Sequence, residues 1–271
     1  MKAKVVRNIT WIISVLLALI WLYPFVIVLI NSLKTKSDLF SNPLALSRPT
    51  FGNYTEAFLS LNYVQSFFNS TLITVTSVLL ITLLASMTAY ALARTHGKIS
   101  SIIYYLCAAT MLIPFQSIMI PLISLFGRID FLNRISLILM NTGLALSLSI
   151  ILYYGAFLGV PASIDEAAMI DGANTVKAFF SVILPSVSPM TGTVVILNAM
   201  KIWNDYLLPS LVINKDGMYT IPLRMYFFFG ENNSNWQLAL AGLVLAIIPI
   251  IILFILLQKQ IMQSATEGAI K

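Results

Sequence analysis

Glu166-Ala167-Ala168-Met169-Ile170-Asp171-Gly172-Ala173, followed by Val182-Ile183-Leu184-Pro185, separates two long apolar segments of a very hydrophobic chain. Asp165, Glu166, Asp171 and Lys177 fall in this interval. Four ionisable groups cannot cheaply enter hydrocarbon, so the segment must lie at a membrane surface or dock onto something soluble. The apolar sequence on either side must then be the membrane-embedded part.

Composition agrees. Of 271 residues, 59% are apolar and 10% are charged, against roughly 25% charged in a soluble domain. The single cysteine, Cys107, excludes an internal disulfide framework and reads as a small buried hydrophobe. The formal charge of +6 does not indicate nucleic acid, because the basic residues are scattered and form no patch interleaved with aromatics. A lipid bilayer is the expected surrounding.

A helix needs about 20 apolar residues to cross a hydrocarbon core roughly 30 Å thick. Six stretches meet this requirement, approximately 9–31, 67–93, 102–126, 135–158, 189–213 and 236–258. The backbone must be satisfied internally in lipid, so these are helices, and the alternation of a membrane barrel is absent. The expectation is an all-α membrane protein with one transmembrane domain over 1–271. Lys2, Lys4 and Arg7 before an apolar run look like a signal peptide, but the run is too long and lacks a small-x-small cleavage site. It is read as a retained first span. Lys and Arg divide almost evenly between the two sets of loops and leave the orientation open. The second span carries Ser70, Thr71, Thr74, Ser77, Ala85, Ser86 and Ala89, small residues that favour close helix packing and an interior position.

Within the polar segment, Ser163 as N-cap and Glu166 three residues later are expected to form a capping box, with Asp165 favouring the positive end of the helix dipole. Gly172 suits the helix C-terminus. A second short helix from 174 to about 181 would present Phe179 and Phe180, with Pro185 ending the excursion. Ala167, Ala168, Gly172 and Ala173 would let another protein's backbone approach. A purely local role for Glu166, as a cap, is compatible with this.

The spacing EAA, three residues, Gly, nine residues, an aliphatic, one residue, Leu-Pro resembles the EAA loop of ABC importer permeases. Asp171-Gly172-Ala173 resembles the carbohydrate-uptake branch, on the side of the maltose-permease G-type subunit. Further similar stretches are Asn31-Ser32-Leu33-Lys34, Phe51-Gly52-Asn53-Tyr54, Phe68-Asn69-Ser70, Ala89-Tyr90-Ala91-Leu92-Ala93-Arg94, Trp203-Asn204-Asp205-Tyr206 and Gly268-Ala269-Ile270-Lys271. Val182 and Ser264 depart from the family's usual isoleucine and glycine. The resemblance implies a type I ABC importer permease fold in a prokaryotic cytoplasmic (inner) membrane, both termini cytoplasmic. It implies a sugar, an oligosaccharide, as substrate. It also implies a second, non-identical permease, a cytoplasmic ATPase dimer and an extracytoplasmic solute-binding protein as partners. The loop 160–185 would be the ATPase-docking element, through Glu166, Ala167, Ala168, Asp171, Gly172, Ala173, Phe179 and Phe180. The chain has no GxxxxGK[ST] loop, since Gly97-Lys98 is followed by Ile99. It is therefore a transport subunit and not the ATPase; it carries no cofactor, and ATP and Mg belong to the partner.

Ionisable groups inside a span are functional candidates. Lys201 and Asp205, four apart, would share a helix face and pair. With Trp203, Asn204 and Tyr206 they provide the residue types that hold a sugar, by ring stacking and hydroxyl bonding. The alternative is a structural pair with Trp203 in the interfacial aromatic belt. The aromatic external segment 214–235, with Tyr219, Tyr226 and Phe229, is either a receptor contact, as in the resembled family, or a re-entrant piece packing on the protein itself. His96 has no second ligand at metal spacing, so no metal site is expected. Paired carboxylates and a Ser/His/Asp arrangement are both missing. Two other functions remain open: an ion-coupled secondary transporter, and an ABC permease for a non-sugar solute such as a glycerol phosphate ester.

Overall fold

The computed structural model describes residues 2–45, 49–95, 97–230 and 233–269, with the backbone alone at 2, 3, 5, 229, 230, 233, 234 and 260–269. Arg48, His96, Glu231, Asn232 and the Ile270-Lys271 end lie outside the described residues. Its helices are α1 (Lys2–Ser32), α2 (Lys36–Ser41), α3 (Gly52–Ser60), α4 (Tyr63–Arg94), α5 (Lys98–Thr110), α6 (Phe115–Gly127), α7 (Arg134–Leu158), α8 (Ser163–Ile170) and α9 (Thr175–Ala178). A π-helical turn, Phe179–Ile183, leads into α10 (Leu184–Ser186), α11 (Ser188–Trp203), α12 (Leu207–Val212), α13 (Ile221–Tyr226) and α14 (Trp236–Ala269). Two two-residue strands, β1 (Phe229–Gly230) and β2 (Asn233–Ser234), pair antiparallel, Phe229 opposite Ser234.

Four helical segments are long and apolar enough to cross a membrane unbroken: Val6–Ser32, Tyr63–Arg94, Arg134–Leu158 and Trp236–Lys259. The other two expected spans are bent pairs. Lys98–Thr110 and Phe115–Gly127 meet at 103°, and Thr175–Ser186 and Ser188–Trp203 at 80°. Pro114 accounts for the first break, because a proline disfavours helix at the residue before it and cannot donate its own N–H. The fifth span expected over 189–213 stops as a helix at Trp203, and the chain restarts as α12. Pro185 does not end the preceding excursion as expected. It sits inside α10, and the chain turns at Val187.

Two compact units are discernible, Met1–Val64 with Leu223–Ile248 and Gln65–Pro222 with Pro249–Lys271. In the first, Ala57, Leu61, Phe228, Leu238, Ala239 and Ala241 form a core. Two of the short motifs interlock beside it. Asn53 Nδ2 donates to the carbonyls of Ser32 and Lys34 at 2.8 Å each, and the Ser32 and Tyr54 hydroxyls lie 2.6 Å apart. Lys34 is fully buried and donates to the Asn42 carbonyl at 2.8 Å, at the negative end of α2. Gly242 is pressed into this core: a Cβ there would lie 2.8 Å from Met225 Sδ and 3.2 Å from Leu61 Cδ1 and Phe228 Cε2. Gly242→Ala is expected to cost about 1 kcal/mol by overpacking, since Met225 can swing aside but the ring must shift. Thermal unfolding in detergent should fall by about 3 °C.

In the second unit the small polar face of α4 turns inward. Ser66, Asn69, Ser70, Thr74, Ser77 and Ser86 are all buried. Asn198 on α11 donates to Ser149 Oγ on α7 at 3.1 Å, and α7 also packs against α5 and α12. These contacts place the breaks after α5 and after α11 against the same helix.

Candidate functional site

The EAA segment forms α8, and its inner and outer faces are the reverse of those of an ordinary surface helix. Asp165 and Ala168 are buried, whereas Met169 and Ile170 are exposed, Ile170 at 86%. Glu166 and Ala167 are exposed as well, and the Glu166 carboxylate bonds to no described residue. The expected capping box is absent. Ala162 is the N-cap, Ser163 already belongs to the helix, and no side chain caps this end. The helix closes as the glycine led one to expect. Gly172, at φ +82°, donates to Met169 O, and Ala173 donates to Ala168 O, both at 3.0 Å. These are the two bonds of a Schellman motif.

After the turn, Asn174 caps α9 by accepting from the Lys177 N–H at 2.8 Å. Leu184 N–H then reaches back to Phe179 O, five residues away, in the π turn. The two phenylalanines expected to be presented together are divided by this turn. Phe180 is 43% exposed, but Phe179 is buried, its ring 5.1 Å from Tyr90 and 6.3 Å from Phe157. Phe179 and Ala168 thus hold the loop to its own chain. Met169, Ile170, Val176 and Phe180 are exposed on this loop, as are Glu166 and Asp171.

Asp165 is the anchor. Arg94 Nε donates to Asp165 Oδ2 at 2.8 Å, with Nη2 also 2.8 Å from that oxygen, and the Tyr90 hydroxyl donates to Oδ1 at 2.6 Å. Arg94 Nη1 further donates to Phe157 O at 3.3 Å, and the guanidinium stands 5.7 Å from the Tyr90 ring centre. The Asp165 carboxylate therefore ties α8 to the C-terminal end of α4, and Arg94 ties that end to the end of α7.

The other end of α4 holds a different loop. Asn69 Nδ2 donates to Gly217 O at 3.0 Å and Tyr219 O at 3.1 Å, while Asn69 Oδ1 accepts from Arg134 Nη1 at 2.8 Å. Ser70 Oγ accepts from Ile221 N–H at 2.9 Å. Gly217 needs its own residue type, with φ +83° and a Cβ that would lie 3.2 Å from Gln65 Nε2. Asn69→Ala removes three bonds at once and should raise amide exchange across 216–221 at least tenfold, leaving exchange in 163–172 unchanged. Of the expected receptor contacts, Tyr219 is half-buried and Tyr226 is 56% exposed. Phe229 lies in β1, and its side chain is outside the described residues.

The aromatic and polar cluster after α11 separates into two groups. Trp203 is 7% exposed and packs edge-on against Phe67, ring centres 5.8 Å apart. Tyr206 is half-buried. Asn204 and Asp205 line a cavity of about 730 Å³, together with Lys201. Lys201 and Asp205 do not pair as expected, since Arg94–Asp165 is the one ion pair among the described residues. The helix ends between them, which breaks the four-residue register, and Asp205 Oδ1 accepts from Leu208 N–H at 3.3 Å at the start of α12. Among the described residues there is no cluster suited to a metal ion.

A family profile, the binding-protein-dependent transport system inner membrane component, matches residues 81–266. The chain belongs to this family. A probable starch degradation products transport system permease, AmyC of Thermoanaerobacterium thermosulfurigenes, is 45% identical over 100% of this chain and 99% of that protein. The melibiose/raffinose/stachyose import permease MelC of Bacillus subtilis is 33% identical over 100% and 98%. MsmG of Streptococcus mutans, a multiple sugar-binding transport system permease, is 35% identical over 92% of each chain. A solved bacterial ABC transporter for import of the acidic polysaccharide alginate has the same fold, with TM-score 0.81 at 23% identity over 96% and 97%.

As a member of this family with sugar-transport permeases as relatives, the protein is a multi-pass membrane permease subunit of an ABC importer, and the ATPase is a separate subunit. The matched range takes in α8, both helix breaks and the 214–222 loop. Sequence reasoning missed the Arg94–Asp165 tie and the exposed Met169, Ile170 and Val176. The reversed pattern was visible in α8 itself: Ile170 falls outside the stripe that Asp165 and Ala168 share at i and i+3.

Proposed function

We propose that this chain is the membrane-spanning subunit through which ATP hydrolysis on a partner drives uptake of an oligosaccharide, a starch-derived one in the first instance. The observation that carries the coupling part is the surface of α8 and α9. Four exposed apolar side chains, Met169, Ile170, Val176 and Phe180, on one loop with Glu166, which bonds to no described residue, are expensive to leave in water and suit a protein contact. The 45% identity to a starch degradation products permease, end to end, supports the substrate class. The partners are a second, non-identical permease, an ATPase dimer in the cytoplasm, which supplies ATP and Mg, and an external solute-binding protein. Both termini are then cytoplasmic.

In this reading, closure of the ATPase dimer draws the 163–185 loops of the two permeases together. Asp165 passes the displacement to Arg94 and hence to α4, and Phe179 passes it to Tyr90 and Phe157. The spans move from an inward-open to an outward-open arrangement. The loaded receptor must favour that same state, since only differential affinity shifts such an equilibrium.

The test is purification from native membrane with assay of ATP hydrolysis. The expected result is an ATPase and a second permease that accompany this chain, with Glu166→Lys losing the ATPase. A chain recovered alone, whose uptake collapses with an uncoupler while ATP is held constant, would establish an ion-coupled carrier instead.

A further inference from the structure

Two interruptions of the helical ladder meet at one cavity. Met111, Ile113, Phe115 and Gln116, at the break between α5 and α6, form one wall. Lys201, Asn204 and Asp205, at the break between α11 and α12, form another, and α7 closes the space from Asn141 to Leu148. At about 730 Å³ it is within the range of small-ligand sites, roughly 300–1,000 Å³. Backbone that leaves the helix at membrane depth is tolerated where it is buried in protein or lines a water-filled cavity. Broken helices facing a common space are where transporters hold their solutes.

The polar groups around this space are only partly used within the chain. Asn141 is 6% exposed and makes no hydrogen bond to any described residue. Its amide is not an enclosed, unsatisfied polar group but is open to the cavity it lines, where a ligand or water can meet it. Gln116 is also without a partner among the described residues. Asn204 gives Nδ2 to Met200 O at 2.8 Å and keeps Oδ1. Asp205 accepts from the start of α12, at Oδ1 from the Leu208 N–H at 3.3 Å, with the Leu207 N–H also acting on it. Lys201 has three N–H donors and no ion pair among the described residues.

We propose that Gln116, Asn141, Lys201, Asn204 and Asp205 form a subsite on this chain for an uncharged glycan. Sugar hydroxyls both donate and accept, and this wall offers amides that do both, an ammonium that donates and a carboxylate that accepts. Its two charged residues cancel. A phosphate ester or a uronate needs a net positive wall, and here the attraction of Lys201 is offset by repulsion from Asp205. The inference rests on the transport reading and extends it: this chain touches the solute itself, and it selects against anions.

The test uses the complete complex in liposomes, with maltotriose and trigalacturonate as probes. Asn141→Leu and Lys201→Met should each lower the maltotriose moved per ATP hydrolysed at least tenfold. Asp205→Asn, which leaves the wall positive, should let trigalacturonate compete at least fivefold better. Gly143 lines the cavity and has nothing within 4 Å of a Cβ built there. In a Cys107→Ser background, the thiol introduced by Gly143→Cys should react with a maleimide at least fivefold more slowly when maltotriose is present. Wild-type sugar-to-ATP ratios in both variants, with no protection at position 143, would overturn the subsite while leaving the importer reading intact. Equal carriage of both probes by the wild type would overturn the selection against anions. A wild-type complex without ATP hydrolysis would overturn the transport reading and the subsite with it.

Discussion

Arg94→Ala is expected to abolish coupling in the assembled complex, with receptor-stimulated ATP hydrolysis falling at least tenfold. The substitution removes the bonds to Asp165 and the bond to Phe157 O together, and leaves a carboxylate that is 7% exposed with Tyr90 alone as donor. Breaking one side of a buried pair costs about 3 kcal/mol, because the surviving charge stays desolvated. Part of that appears as lower thermal stability of the isolated chain. The rest appears as a loop free to move without moving α4. Arg94→Lys should fall between, since an ammonium cannot reproduce the planar fork. The exchange Arg94→Asp with Asp165→Arg should recover more hydrolysis than either single change. Full stimulation in Arg94→Ala would show that the loop acts through Phe179 alone.

The second large effect is expected from Gly172→Val. There is open space around a Cβ at this position, so the penalty is wholly conformational. A β-branched residue at φ +82° is a genuine outlier. Relieving it by turning the backbone breaks the Gly172 and Ala173 bonds that close α8, and re-aims α9 against α8. ATPase recovered with the complex should drop about tenfold, whereas Gly172→Asn, which tolerates the left-handed region, should retain most of it. Equal recovery in both variants would mean that the turn geometry does not matter for docking.

The long spans were legible because a hydrocarbon core imposes a length, and α1, α4, α7 and α14 each present that length of apolar sequence without a break. The broken spans were not. Pro114 marks its break only approximately, and nothing in Lys201-Ile202-Trp203-Asn204-Asp205 announces that the helix ends at Trp203. The pairing expected between Lys201 and Asp205 fails for that reason. Capping at Ser163 fails because the helix begins one residue early and Asp165 turns inward to a stronger partner. Glu166, Gly172 and Asn204 were singled out by local pattern. Arg94 with Asp165, Ser32 with Tyr54 and Asn69 with Tyr219 are long-range pairs, and local periodicity carries no information about them.

Asn69 and Arg94 lie on the same unbroken helix, about 38 Å apart at 1.5 Å per residue. One clasps the loop around Gly217 and the other the loop that carries Asp165. A rod pinned at both ends obliges its two ends to share one free energy. Under the proposed function, whatever factor receptor docking applies to the complex's affinity for ATP, ATP must apply equally to its affinity for the receptor. Loosening either pin should weaken both effects in the same proportion, whichever face of the membrane carries the lesion.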